Sequence, residues 1–407
     1  MTLRNFFAAA IAAVALAQPL GVRAADAEPG SFTIPGTNTT MKFYGYMQVD
    51  GTYDFSGRIK DFEGNDWATI VAVQPLKGSV VAGQEGKIYF TARTTRVGFT
   101  TSTPSDLWGP IGTKVEADFN GPNRDQTQTF TNSVVFRLRQ AYGTVGGLLV
   151  GQTWTTFTDL ASYADTVDFN GTGDVPLIRQ PQVRYTIPLA KGTTLALAVE
   201  NGPNNGANSW VRLPDFHANF STSQSWGTFS LRGLTGQYRN PANFSPANIK
   251  QGYGLAGSGS LKVGGDTLVY NVTGGKGIGR YMFNLANGQF AEVNANGANP
   301  ELWSALGYHV GYTHVWTKAW RSNAVWSQTF MYKDNITPNT LADVGGINET
   351  NGFLDNRRID QAFANTFWTF AKNAEFGLEY AYGKRWTWAG PTGLENRINA
   401  SFHVNFF

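Results

Sequence analysis

The sequence contains no cysteine. That absence alone excludes a disulfide scaffold, thiolate zinc sites, iron–sulfur clusters and a cysteine nucleophile. Charged residues are also scarce, at 15% of 407 positions, against roughly 25% in an ordinary soluble domain. Histidine occurs only at His217, His309, His314 and His403. His309 and His314 have opposite strand parity, so one strand cannot aim both at a metal. No nucleophile, base and orienting group come together, so no catalytic residue, cofactor or metal is expected. The formal net charge is +3 with no basic run, which removes the usual footprint of a nucleic-acid partner. Beyond residue 28 no apolar run reaches 18 residues, too short for a spanning helix.

What is abundant points elsewhere. Apolar residues make up 42% of the chain, aromatics 14%, and glycine numbers 47, which is too hydrophobic for disorder. At the N-terminus, Arg4 precedes the apolar stretch Phe6–Ala17, and Ala25-Asp26-Ala27 offers a small-residue cleavage site. This pattern predicts a secretory signal peptide over residues 1–27. A short N-terminal segment, 28–41, then leads to one domain over 42–407, with no repeat of fixed period and no linker.

Period-two alternation dominates that domain. Val115, Ala117 and Phe119 alternate with Lys114, Glu116 and Asp118, and Leu306, Tyr308, Val310 and Tyr312 alternate with Ala305, Gly307, His309 and Gly311. Sixteen such segments are expected, from 42–53 to 396–407. Alternation alone fits a secreted all-β carbohydrate-binding or carbohydrate-active protein as well as a membrane barrel. Aromatics at strand ends (Trp154, Tyr185, Trp226, Trp316, Trp320, Tyr332, Trp386 and Trp388) and a closing aromatic, Phe407, favour the barrel. The expectation is an all-β fold: a transmembrane antiparallel β-barrel of about 16 strands in a bacterial outer membrane.

The triplet Arg137-Leu138-Arg139 sets the register. Turned to lipid, each arginine would cost about 2–4 kcal/mol near the midplane, so both should face the lumen. The same parity turns Arg96, Lys114, Glu116, Asp118, Arg184 and Arg232 inward, and leaves Gln140 on the lipid side, where it is tolerable only near an interface. Two readings of these arginines stand side by side: a basic ladder that attracts anions, and braces paired with Glu116 and Asp118. The long segment 155–180, with Asp159, Asp165, Asp168 and Asp174, is expected to fold inward as a constriction loop whose carboxylates oppose the basic wall. Gly274–Arg280 imitates a phosphate-binding loop, but no Gly-Lys-Ser/Thr opens a helix there, so it reads as a glycine-rich strand exit.

Several stretches together resemble the trimeric outer-membrane porins of the DcaP-like family. They include Phe32–Thr39, Arg93–Phe99, Glu116–Phe119, Arg137–Gly143, Gly151–Phe157, Thr166–Gly171, Arg179–Tyr185 and Gly277–Tyr281. The order of these stretches is more specific than any one of them. The resemblance implies a sixteen-stranded homotrimer passing small, preferentially anionic solutes such as dicarboxylates, with Arg137, Arg139 and Arg184 on the pore wall. Outer-membrane lipids and small anionic solutes are then the expected partners. Two departures stand out. Residues 28–41 are too short for the N-terminal coiled coil of some members. The usual C-terminal apolar pattern is restored only when counted from Phe406.

Overall fold

The computed structural model describes residues 29–56, 68, 71–77, 86–121, 135–202, 204–205, 208–209, 213–239, 249–283, 291–293, 300–334 and 356–407. The expected signal peptide and the connections 122–134, 240–248 and 335–355 lie outside the described residues.

Sixteen antiparallel strands form the wall. The first eight are β1 (Thr40–Asp54), β2 (Lys87–Thr91 and Arg96–Thr103), β3 (Ile111–Gly121), β4 (Val135–Val145), β5 (Leu148–Trp154), β6 (Arg179–Ala190), β7 (Thr193–Glu200) and β8 (Asp215–Gln224). The rest are β9 (Gly227–Arg239), β10 (Ile249–Val263), β11 (Asp266–Lys276), β12 (Ser304–Val315), β13 (Trp320–Tyr332), β14 (Asn356–Ala371), β15 (Ala374–Thr387) and β16 (Thr392–Asn405). The sheet has eighteen segments because β2 is broken in two and Ser31–Thr33 adds a short strand to β1. Each strand pairs with its sequence neighbour, and β1 pairs with β16 from Tyr46↔Asn405 to Asp54↔Arg397, closing the barrel.

Short turns gather at one end with both described chain ends: 104–110, 146–147, 191–192, 225–226, 264–265, 316–319 and 372–373. Short turns belong to the periplasmic side. At the other end β15 and β16 pair almost to their tips, ending at Trp386↔Thr392, so the link between them is only residues 388–391.

Side chains sort by medium. Phe136 and Leu138 of β4 are 61% and 49% exposed on the outer face, while Arg139 is 3% exposed inside. Gln140 corrects the expected register. Pairing between β3 and β4 passes from Glu116↔Gln140 directly to Ala117↔Leu138, leaving Arg139 as the extra residue of a bulge. A bulge places two successive residues on one face, so Arg139 and Gln140 both point inward. Gln140 donates to Glu116 Oε1 at 3.1 Å and accepts from Thr153 Oγ1 at 2.7 Å.

The outer face carries an aromatic girdle at the short-turn end. Trp320 and Trp368 stack at 5.6 Å, and Phe370 stacks on Phe402 at 5.8 Å. The barrel interior holds its own apolar cluster, built mainly from inward-folded segments: Val71, Phe157, Ile278, Tyr281, Met282 and Trp303 are essentially inaccessible. The glycine-rich stretch is a strand exit as expected. β11 ends at Lys276, Gly277 turns with φ +76°, and Gly279–Tyr281 forms one 3-10 turn.

At the seam, Gly45 has φ +152°. A Cβ there would sit 2.2 Å from the Arg96 carbonyl and 2.9 Å from the Phe406 ring. Gly45→Ala is therefore expected to destabilise the seam by about 1–3 kcal/mol, the scale of a strained backbone position. The check is a lower midpoint for loss of the compact, heat-sensitive gel species, with the wild-type midpoint counting against this role.

Candidate functional site

After β5 the chain turns into the barrel instead of away from it. Residues 155–178 run along the inner wall, and their bonds record the route. The Thr156 amide donates to Glu200 Oε1 of β7 at 2.6 Å. The Phe157 carbonyl accepts from Arg232 of β9 at 2.6 Å. Asp159 accepts from Ser258 of β10 at 2.6 Å, and the Ser162 carbonyl lies 2.9 Å from His309 Nε2 of β12. Further along, Asp165 meets Arg321 of β13 at 2.6 Å. The Gly173 amide donates to Gln361 of β14 at 2.8 Å.

Two buried carboxylates fix the far half of this loop. Glu379 of β15 accepts from the amides of Val167 and Asp168 at 2.8 and 2.9 Å. It also accepts from the side chains of Asn365 and Asn399 at 2.8 and 3.0 Å. Asp174, in the loop itself, lies 2.9 Å from His309 Nδ1 and accepts from Asn271 and Ser327 at 2.8 and 2.9 Å. Burial pushes the Asp174 carboxyl upward, but His309 and these hydrogen bonds outweigh it and hold it below the ordinary value.

The expected carboxylates of the loop are thus turned to the wall behind it. Asp159 also caps the Ala161 amide. Asp168 accepts from the Asn170 and Gly171 amides and lies 3.9 Å from Arg397. Asp165 keeps its side chain 39% exposed and is held by Arg321. Asp168 is buried and Asp159 half-buried, and both take donors from the loop and the near wall instead of facing the basic wall.

The basic residues lie on the other part of the wall. Asp118 is fully buried and accepts a bidentate pair of bonds from Arg137 at 2.9 and 2.7 Å, plus Arg139 Nη1 at 2.8 Å. Arg139 Nε also reaches Glu116 at 2.8 Å. Arg96 and Lys114 approach Glu116 at only 3.9 and 3.8 Å. Arg184 shares the face of the buried Leu149 and Ala198. The cluster therefore counts six cations, Arg96, Lys114, Arg137, Arg139, Arg179 and Arg184, against Glu116, Asp118 and, beside Arg184, Glu200.

Of the eight wall residues expected to line the lumen, seven gather here. Arg232 faces inward as expected, yet the loop covers it. It is 1% exposed and donates to Phe157, Ser258 and Asn271, so it anchors the loop and does not line an open surface. Arg139 is a brace by the same measure. Reading the sequence missed Glu379, Asn271 and Tyr44. Tyr44 donates to Glu116 at 3.1 Å. A lone carboxylate at lumenal parity, such as Glu379 among Gly377 and Ala381, is the signal that could have found the loop anchor.

A profile of the DcaP outer membrane protein family matches residues 16–406. The chain belongs to the DcaP outer membrane protein family. Comparison with curated proteins returned no match. Among solved structures, the outer membrane channel DcaP of Acinetobacter baumannii is similar over 93% of this chain and 100% of its own, with 24% identity and TM-score 0.75. An anion-selective porin from Comamonas acidovorans follows at 10% identity and TM-score 0.55, covering 90% of this chain and 100% of its own. Salmonella typhi OmpF shows 13% identity and TM-score 0.55 over 92% of this chain and 99% of its own. With the closed barrel, DcaP membership makes the protein an outer-membrane channel. The family and its structural neighbours are channels and not enzymes, and the rival reading as a secreted carbohydrate protein falls.

Asp174→Ala should release the loop, since it strips buried His309, Asn271 and Ser327 of a shared acceptor. A loss of about 2–4 kcal/mol in unfolding by urea is expected, with noisier single-channel currents. The pH sign follows from the depressed carboxyl: its contribution is complete above an unfolded value of about 4 and fades as pH falls further. Quiet wild-type currents at pH 5 and rising noise below about pH 4 would agree. Noise unchanged in the variant would not.

Proposed function

We propose that this channel is a diffusion porin for small hydrophilic solutes that favours anions such as dicarboxylates and works as a homotrimer. The observation that carries the reading is the charge excess around β2–β4 and β6, six cations (Arg179 included) against Glu116, Asp118 and the neighbouring Glu200. The loop binds the wall from β7 to β16, so the open side of the lumen borders the cationic part. Net charge does not set selectivity. The local potential in a narrow, low-dielectric-walled passage does.

Arg96, Lys114 and Arg137 keep side-chain exposures of 19%, 22% and 24%, so these three would meet a passing solute, with Arg184 beside them. Arg139 would hold Glu116 and Asp118 in place. Loop 155–178 would narrow the passage by its bulk, with Asp165 partly open to the solute. Residues 1–27 would be removed on export, and the apolar outer faces would meet lipid and neighbouring subunits. A structural relative is described as anion-selective, which agrees with this reading.

Lys114→Ala with Arg137→Ala is the informative variant, since Arg139 stays to neutralise Asp118. In a salt gradient its zero-current potential should move toward cation preference, and the wild-type preference should shrink as salt screens the wall. Dicarboxylate flux should fall more than flux of a neutral sugar. A wild-type potential and flux ratio in the variant would make these residues braces. The mass of the purified protein in detergent should correspond to three copies, and a single copy would remove the trimer from the proposal.

A further inference from the structure

One charged group faces the opposite way. On β14, register pairs Asp360 with Gln328 of β13 and with Lys384 of β15, and pairs Arg358 with Phe330 and Trp386. All of these share the outer parity of Tyr308, Val310 and Tyr382. Charges on the lipid face are tolerable only toward the edge of the apolar band, and the position of this group fits that edge. Arg358 lies ten residues along β14 from Trp368 of the periplasmic girdle. At about 3.3 Å per residue and a tilt of about 40°, that is about 25 Å along the normal, the height of the band.

The group is ordered rather than a loose fringe. Asp360 is 4% exposed. Its oxygens accept Arg358 Nε and Nη2 at 2.7 and 2.6 Å and Gln328 Nε2 at 3.0 Å. The Arg358 guanidinium sits 4.9 Å from the Trp386 ring centre and 5.7 Å from that of Phe330, and remains 39% exposed. Lys384 Nζ lies 4.7 Å from the same Trp386 ring and has no carboxylate in ion-pair contact among the described residues, because Arg358 and Gln328 occupy Asp360. Two cations therefore share one aromatic ring beside one satisfied carboxylate at the extracellular rim.

We propose that this outward face of β13–β15 binds the phosphorylated headgroup of an outer-leaflet glycolipid. Arg358 and Lys384 would grip phosphate, and the Trp386 ring between them would hold both cations at headgroup depth. Cations on aromatic rings at a membrane interface attract anionic headgroups, and the cluster has surplus donors but no surplus acceptor. A second copy of the chain presenting the same surface would set like charges together, so a lipid fits better.

The test uses the full mature protein in detergent with two probes, diphosphoryl lipid A and phosphatidylethanolamine, read by native mass spectrometry. Wild type should retain lipid A and release phosphatidylethanolamine. Lys384→Gln, which orphans no buried charge, should weaken lipid A retention severalfold. Adding Arg358→Gln with Asp360→Asn, which neutralises the pair together, should bring the loss to about tenfold or more. Single-channel conductance and ion preference should stay at wild-type values, because the lumen is untouched, and this separates the result from the proposed selectivity. Equal retention of both lipids by wild type, or unchanged lipid A retention in the triple variant, overturns the proposal. So does a change in copy number with lipid retention intact, which would make the patch a contact between subunits.

Discussion

Hydrocarbon offers no partner to a free backbone amide, and every other feature of this chain is arranged under that restriction. A sheet with two open edges could not persist there. The pairing of β1 with β16 removes the edges, and Gly45 of β1, with no side chain, lets the Phe406 ring settle against the seam. Once the sheet is closed, each strand has one face in lipid and one inside, and alternation becomes compulsory. The exposed Phe136 and Leu138 and the buried Arg139 express that compulsion within four residues.

Closure creates a second problem, an interior lined with polar side chains that must all find partners. The answer is electrostatic and divided in space. From β7 to β16, wall residues are satisfied by the incoming loop: Glu379 of the wall collects donors from loop and wall, and Asp174 of the loop collects donors from the wall. From β2 to β4 they are satisfied by each other, and there the cations outnumber the carboxylates. Charge left over in this way is what a passing ion would sense.

Much of this could be read from the sequence, because a period of two is robust and a lipid-facing arginine is costly. All sixteen strands were expected in the right order, and the inward facing of Arg137, Arg139 and Arg232 followed from parity. What escaped notice depends on contacts distant along the chain. Gln140 was placed outside because a bulge leaves no mark in alternation until its partner strand is known. Arg232 was expected to be open because nothing local says that Phe157, 75 positions earlier, would cover it. The loop's aspartates were expected to look across the lumen, whereas their partners on β10 and β13 lie 99 and 156 positions away.

The two interior charge systems rest on different carboxylates, Glu116 and Asp118 in one and Glu379, Asp165 and Asp174 in the other, with Glu200 touching both through Thr156 and Arg184. Groups without common partners contribute almost independently. Drift at Lys114 or Arg137 can therefore retune what passes without loosening the loop, and repairs around His309 or Arg321 can proceed without altering permeation. Relatives can then diverge in cargo on one unchanged scaffold, one side of the barrel being free to vary while the other is held by its burial.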